Sequence, residues 1–332
     1  MSQEHLDRGQ ILDMMNGYMA SCVLGAASEL DLFSVLGEES MSADQLTGRL
    51  SADLRAMRIL LDAVAALGLL DKQDDLYSVP SQIRPFLTDA GPESVLPMIR
   101  HRMNILRHWA QLAWVAKAGI PCPRQVSIRG SAADRAAFIG AMHTVSAPVA
   151  DDLVAETGPP PFSHLLDVGG ASGTWTLAFL GAVTDSKATV FDLPDAIEQA
   201  RARFAASRFA DRVTLASGDF YVDDLPRGAD FAWISAIVHQ HSREDSRELF
   251  AKVEAALEPG GWIAVRDVLM EPSRIRPLDG AMFAVNMLVN TTSGGTFTFE
   301  EIAEDLQAAG FVAPELRVKS QWMNSVIMAR KP

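Results

Sequence analysis

One break in hydrophobic rhythm divides this 332-residue chain. Gly158 is followed by Pro159, Pro160 and Pro161. Proline lacks an amide donor and fixes φ, so the run stops a helix and stiffens a connector. Before it, apolar residues recur at helical spacing. After it, short apolar runs (HLLDVG, ATVFDL, RVTLASGDF, DFAWISAIV and GWIAVRDVLM) alternate with helical segments such as AIEQARARFAASRF and REDSRELFAKVEAALEPGG. Strands alternating with helices of about 10–15 residues predict an α/β fold, a Rossmann-like doubly wound parallel sheet. ELRVKS and NSVIMARK close the chain as an antiparallel edge pair, which makes the sheet seven-stranded.

The first hundred residues predict a different architecture. Ser42 is a helix cap, and Leu46, Leu50, Leu54, Met57, Leu60, Leu61, Val64 and Leu67 follow the i, i+3, i+4, i+7 pattern. Gly68 marks a helix end, and Asp74-Asp75 a tight turn before the return strand Leu76 to Val79 of a small hairpin. Helix, turn, helix and hairpin is a winged-helix pattern in an otherwise all-helical domain. A second helical tract runs from Val95 to Ala118, breaks at IPCPRQ and resumes from Ala132 to Thr157. The expected domains are thus residues 1–100, a helical connecting region 101–157, and the sheet domain 158–332.

Charge narrows the partners. A net charge of −13 repels polyphosphate, and residues 1–100 hold seven Lys or Arg against fifteen Asp or Glu, so nucleic acid is not an expected partner. No apolar run approaches the roughly 18 residues of a membrane span, so no membrane is expected either. The polar start MSQEHLDRGQ does not read as a secretory signal, and two cysteines, Cys22 and Cys122, form no disulfide framework. A cytoplasmic location is the expectation. The helices of residues 10–70 are more apolar than a free-standing winged helix needs, which predicts a homodimer built on them.

The first strand of the sheet ends Asp167-Val168-Gly169-Gly170-Ala171-Ser172-Gly173. Glycine there lets backbone approach a ligand at the switch point of a doubly wound sheet. The spacing is not the G-x-G-x-x-G of a dinucleotide site, and Asp167 stands where a pyrophosphate would be repelled. A cationic group would be welcome instead. The second strand ends at Asp192, an acid suited to a ribose diol, and the third at Gly218-Asp219-Phe220, an acid beside an aromatic suited to a purine. Together they describe a site for a nucleoside that carries positive charge and no phosphate. S-adenosylmethionine fits that description.

His239 lies beyond the fourth strand, and Asp267 stands at the corresponding level of the fifth. The pattern suits a general base whose tautomer is fixed by a carboxylate, or equally a partly buried histidine bonded to backbone. His239 and His241 form H-x-H, which on a strand would face one side. No third ligand follows at recognisable spacing, so no metal is expected.

These residues resemble a known family. DVGGASG, FDLP, GDF, the His after strand four and EPGG-WIAVRDVL are similar to class I S-adenosylmethionine-dependent O-methyltransferases of the caffeic-acid and bacterial natural-product type. AASELDLFSVL, MSADQL, RILLDAVAALGLL and LYSV resemble that family's N-terminal winged-helix dimerisation domain. The resemblance implies a cofactor site of Asp167, Gly169, Gly170, Gly173, Asp192, Leu193, Gly218, Asp219, Phe220 and Ser235, with S-adenosylhomocysteine as product. It implies His239 as general base flanked by Asp267. It implies an acceptor pocket with Phe138, Met142, His143, Ser146, Met287 and Asn290, made more apolar by Met282 and Phe283. The implied reaction is in-line methyl transfer to a hydroxyl of a small molecule. Gln240 and His241 stand where the family usually has Asp and Trp, and Thr296-Phe297-Thr298 replaces its E-R-T, so a second acidic partner of the base is missing. A more acidic hydroxyl, or a thiol or thioether in an S-methyltransferase, needs less help from a base. An NAD(P)-dependent oxidoreductase and a non-catalytic ligand-binding regulator are the alternatives of other classes.

Overall fold

A computed structural model describes residues 6–89, 91, 93–170 and 172–332. The first five residues, part of the start read above, and Ala171 of the glycine turn lie outside them. The chain forms two compact units, residues 1–107 with 125–144, and residues 108–124 with 145–332.

The first unit holds α1 (Arg8–Asn16), α2 (Tyr18–Glu29), α3 (Leu32–Leu36), β1 (Met41–Ser42), α4 (Ala43–Leu50), α5 (Leu54–Ala66), β2 (Asp71–Gln73), β3 (Leu76–Ser78), α6 (Arg84–Leu87) and most of α7 (Leu96–Trp109). Ser42 is the expected cap: its hydroxyl accepts from the Gln45 amide at 3.2 Å, and the Gln45 side chain reaches back to the Ser42 amide. Met57, Leu61 and Val64 of α5 are buried with Leu46, Phe33 and Tyr77. Leu67 is exposed, because the helix ends there and Gly68 takes a φ of 75°. The hairpin is the expected one, and β1 joins it, giving a three-stranded wing of order β1-β3-β2. The tract from Val95 is two helices rather than one, α7 and α8 (Leu112–Ala118). The tract from Ala132 is likewise interrupted between α9 (Ser131–Ser146) and α10 (Ala150–Thr157), where Pro148 cannot donate to a helical ladder.

The second unit is the seven-stranded sheet, order β11-β12-β8-β7-β4-β5-β6. Its strands are β4 (His164–Val168), β5 (Lys187–Asp192), β6 (Val213–Ser217), β7 (Ala229–Ser235), β8 (Leu257–Asp267), β11 (Val312–Val318) and β12 (Ser325–Arg330). β4 to β8 run parallel, and β12 is antiparallel to both β8 and β11. A separate parallel pair joins β9 (Leu269–Met270) to β10 (Phe297–Thr298). β8 starts at Leu257, earlier than the glycines suggested, with an irregular register before Trp262. The crossovers are α11 (Thr174–Ala182), α12 (Pro194–Ala205) and α13 (Arg243–Ala256); α14 (Leu278–Asn290) and α15 (Phe299–Ala308) precede the closing hairpin.

Successive strand residues alternate between faces. Leu166, Val168, Ile263 and Val265 pack on one side with Phe250 of α13. Leu165, Phe231 and Trp233 pack on the other with Trp175 and Phe179 of α11. Both faces are covered, which is why β7 reads as a nearly continuous apolar run.

Candidate functional site

The carboxyl ends of β4, β5 and β6 lie side by side, since Val168 pairs with Phe191 and Asp192 with Ser217. The turn after β4 admits only glycine at two positions. Gly169 has a φ of 71°, and a Cβ there would lie 2.5 Å from Ile237 Cδ1. A Cβ on Gly170 would lie 2.4 Å from the carboxyl carbon of Asp167. Gly173 caps α11 at a φ of 70° against the Phe204 ring.

Asp167 is fully buried under this turn. Its Oδ2 accepts from Thr176 Oγ1 at 2.5 Å, while Oδ1 has no hydrogen-bond partner among the described residues. Burial, with the charge of Asp192 adding to it, pushes the carboxyl up to about 7 despite the Thr176 bond. At the end of β5, Asp192 is half-buried and accepts from the Leu193 amide at 2.7 Å. Gly218 donates to the Asp192 carbonyl at 3.0 Å, tying the third strand end to the second. Asp219 accepts from the Tyr221 amide at 2.9 Å, and the Phe220 ring meets His241 edge-on with centroids 5.6 Å apart.

His239 and His241 do not share a strand face: His239 lies within a 3-10 turn, Val238–Gln240, and His241 caps its end. His241 takes the Tyr221 hydroxyl on Nδ1, and burial lowers its pKa. His239 is buried, with Nδ1 2.8 Å from Asp267 Oδ1 and 3.0 Å from Oδ2. Asp267 also accepts from the His239 and Val268 amides, at 3.1 and 2.8 Å. Phe283 of α14 stands edge-on to the His239 ring, centroids 4.8 Å apart. No second carboxylate bonds His239 among the described residues. Gln240 instead donates to the Ala236 carbonyl at 2.9 Å, and Thr296 is buried with its carbonyl taken by Arg274.

The expected pocket residues divide between the units. Phe138, Met142 and His143 belong to the first, where the Phe138 ring lies 5.2 Å from that of His101. Ser146, Met287 and Asn290 belong to the second. Ser146 and Met287 are buried, and Asn290 Oδ1 meets His108 Nδ1 at 2.5 Å. Ser235 accepts from Arg266 at 3.0 Å. Sequence reasoning missed Arg266, Trp175, Thr176 and Tyr221. The available signal was a lone Arg inside an apolar run, AVRDVL.

An O-methyltransferase domain model matches residues 103–312, and an O-methyltransferase dimerisation domain model matches residues 12–87. The chain belongs to the O-methyltransferase family. Among curated relatives of this O-methyltransferase, the tetracenomycin polyketide synthesis 8-O-methyl transferase TcmO of Streptomyces glaucescens is 30% identical over 309 residues, 91% of each chain. The acetylserotonin O-methyltransferase of Gallus gallus is 26% identical, over 98% of this chain and 99% of its own. Human N-acetylserotonin methyltransferase, solved in complex with SAM, superposes with a TM-score of 0.79 at 25% identity, over 100% of this chain and 99% of its own. The enzyme is an S-adenosylmethionine-dependent O-methyltransferase. Its residues fit that cofactor: Asp167 offers a buried unpartnered acceptor to a cationic end, and Gly169 and Gly170 let the main chain pass close over it. No helix among the described residues is long and apolar enough to cross a membrane.

Proposed function

We propose that this O-methyltransferase methylates a hydroxyl of a small molecule, with His239 as the general base. The observation carrying this reading is the His239–Asp267 pair, with Nδ1 and Oδ1 2.8 Å apart. Asp267 accepts from Nδ1–H, which leaves the Nε2 lone pair to receive a proton. S-adenosylmethionine supplies an electrophilic methyl on a sulfonium. Bound in this site, it would give that methyl to the acceptor oxygen and leave as S-adenosylhomocysteine, and His239 Nε2 is the group that takes the hydroxyl proton. Reacting atoms held about 3–3.5 Å apart and in line are the larger part of such catalysis.

Asp167, Gly169, Gly170 and Gly173 serve the amino-acid end of the cofactor in this reading. Asp192 and Leu193 serve the ribose, Gly218, Asp219 and Phe220 the adenine, and Ser235 the strand end beside it. Phe138, Met142, His143, Ser146, Met287 and Asn290 serve the acceptor. With a single acid behind the base, the preferred acceptor is an acidic hydroxyl such as a phenol on a fused aromatic system. TcmO, named for 8-O-methyl transfer in polyketide synthesis, supports a hydroxyl as the acceptor. In this proposal residues 1–100 serve dimerisation, 101–157 connection and 158–332 catalysis, the connector being shared between the two compact units. A homodimer is built on the N-terminal helices, where Ile11, Leu12, Met14, Met15 and Tyr18 are exposed. The free cysteines Cys22 and Cys122 suit a cytoplasmic enzyme.

The test is methyl transfer to a ladder of substituted naphthols of graded acidity. His239→Ala lowers kcat/KM by about 10²–10⁴-fold, most for the least acidic acceptors. Its affinity for S-adenosylhomocysteine stays near that of wild type. Full activity of the variant across pH refutes the base assignment.

A further inference from the structure

Arg266 is a buried cation that forms no ion pair among the described residues; burial works against its charge, and only the charge of neighbouring Asp267 favours it. It is 4% exposed, and no carboxylate among the described residues lies within 4.0 Å of its guanidinium. Nε and Nη2 both donate to Asn324 Oδ1, at 3.0 and 2.6 Å, and Nη1 donates to Ser235 Oγ at 3.0 Å. Its plane rides on the Trp175 ring, 4.5 Å from the centroid. All these partners are neutral. Three of the five N–H groups of the side chain are used, which leaves one on each terminal nitrogen. Burying a cation this way is costly unless an anion joins it. Asp267, the next residue, lies on the opposite face of β8 and is held by His239.

The position is informative. Register pairs Arg266 with Ser235 on β7, and β7 pairs Ile234 with Val168, the last residue before the glycine turn. Arg266 therefore stands level with that turn, two strands or about 10 Å away. Asp167 lies on the same face of the sheet. It bonds Thr176, and Arg266 stacks on Trp175, so consecutive residues of α11 carry the two groups. One unpartnered carboxylate oxygen and one acid-free guanidinium flank a single helix N-terminus. A ligand that carries an ammonium and a carboxylate on one carbon matches both.

We infer that Arg266 is the counter-ion for the carboxylate of the cofactor's amino-acid end, gripping it with its two remaining N–H groups. Asn324 and Ser235 hold the guanidinium in place, and Trp175 keeps its plane fixed. The inference rests on the cofactor reading of the glycine turn and adds a binding residue to it. The ligand class is an α-amino acid thioether or sulfonium; a nucleoside without the carboxylate gains nothing from Arg266.

The experiment is a titration calorimetry cycle on the full chain. The ligands are S-adenosylhomocysteine and its decarboxylated counterpart, which keeps the ammonium, sulfur, ribose and adenine. Arg266→Met is expected to weaken S-adenosylhomocysteine by about 10–100-fold. It should leave the decarboxylated ligand nearly unchanged. Arg266→Lys, which keeps the charge and loses the fork, falls between, and it decides the matter if the Met variant does not fold. Equal weakening of both ligands means a structural role and overturns the inference while the cofactor reading stands. Failure of wild type to bind either ligand overturns both.

Discussion

Asp167 makes the ligand-free enzyme sensitive to pH in a direction opposite to most carboxylates. Its pKa rises from 3.8 to about 7 because the group is fully buried. Below pH 4 the carboxyl is protonated in both folded and unfolded chains, and nothing is lost. From pH 4 to 7 the unfolded chain ionises it while the folded chain keeps the proton, so each pH unit favours unfolding by about 1.4 kcal/mol. Above 7 the penalty is constant, and a rise of about three units makes it about 4 kcal/mol. Asp167→Asn removes the titration and keeps the shape. The variant should match wild type near pH 4 and exceed it at pH 8, by on the order of 5–10 °C in melting temperature. The cofactor should suffer in the same variant, since an ammonium near Oδ1 wants the ionised form. At pH 7 about half the carboxyls carry a proton, so binding S-adenosylhomocysteine to wild type should release about half a proton more than binding to Asp167→Asn. Calorimetry in two buffers of different ionisation enthalpy measures it. Parallel stability curves for the two proteins from pH 4 to 8 would refute the reasoning, and equal proton release would refute the ligand half of it.

Other consequences are simpler to read. Gly169→Ala meets both a φ of 71° and Ile237 Cδ1 at 2.5 Å, so it should cost about 1–3 kcal/mol in denaturant unfolding and depress cofactor affinity with it. His241 is held neutral by burial, with its pKa below the ordinary 6.5; stability should fall as pH drops below about 6.5, and His241→Gln should flatten that slope in a melting series from pH 7 to 5. Met15→Lys, at an exposed apolar position of α1, should turn a dimer into a monomer by light scattering at micromolar concentration without shifting the circular dichroism spectrum.

The sequence was most legible where geometry leaves one residue type. Gly169 and Gly173 show as glycines because a positive φ and a crowded neighbour penalise any side chain there. The match of His239 to Asp267 was open to inspection because both follow apolar strands at one level. Arg266 was not, because its meaning depends on which face of β8 it takes and on a neutral Asn324 that arrives 58 positions later. The link from Tyr221 to His241 crosses from the loop after β6 to the turn after β7, and no local pattern announces it. Where expected helices ran too long, the cause was local: Pro148 in one tract, and a break at Ala110 and Gln111 in the other.

The absent second acid also changes what the rest of the site must do. A second carboxylate would act on His239 by charge. This chain acts on it by position. The His239 amide donates to Asp267 Oδ2, its carbonyl accepts from the Gly295 amide at 2.9 Å, and the Gln240 amide closes the turn on Ile237 at 2.9 Å. Gly294 must be glycine for this loop to come so near, since a Cβ there would sit 2.5 Å from the His239 carbonyl oxygen. Main chain is therefore fixed on both sides of the ring, and Asp267 fixes the ring itself. In the proposed role as base, a histidine held so firmly would lose little in reorganisation on taking a proton, which is the same kind of gain that pre-aimed dipoles give elsewhere. Position without a second charge is what favours, in the proposed role, an acceptor that gives up its proton readily over a poorly acidic alcohol.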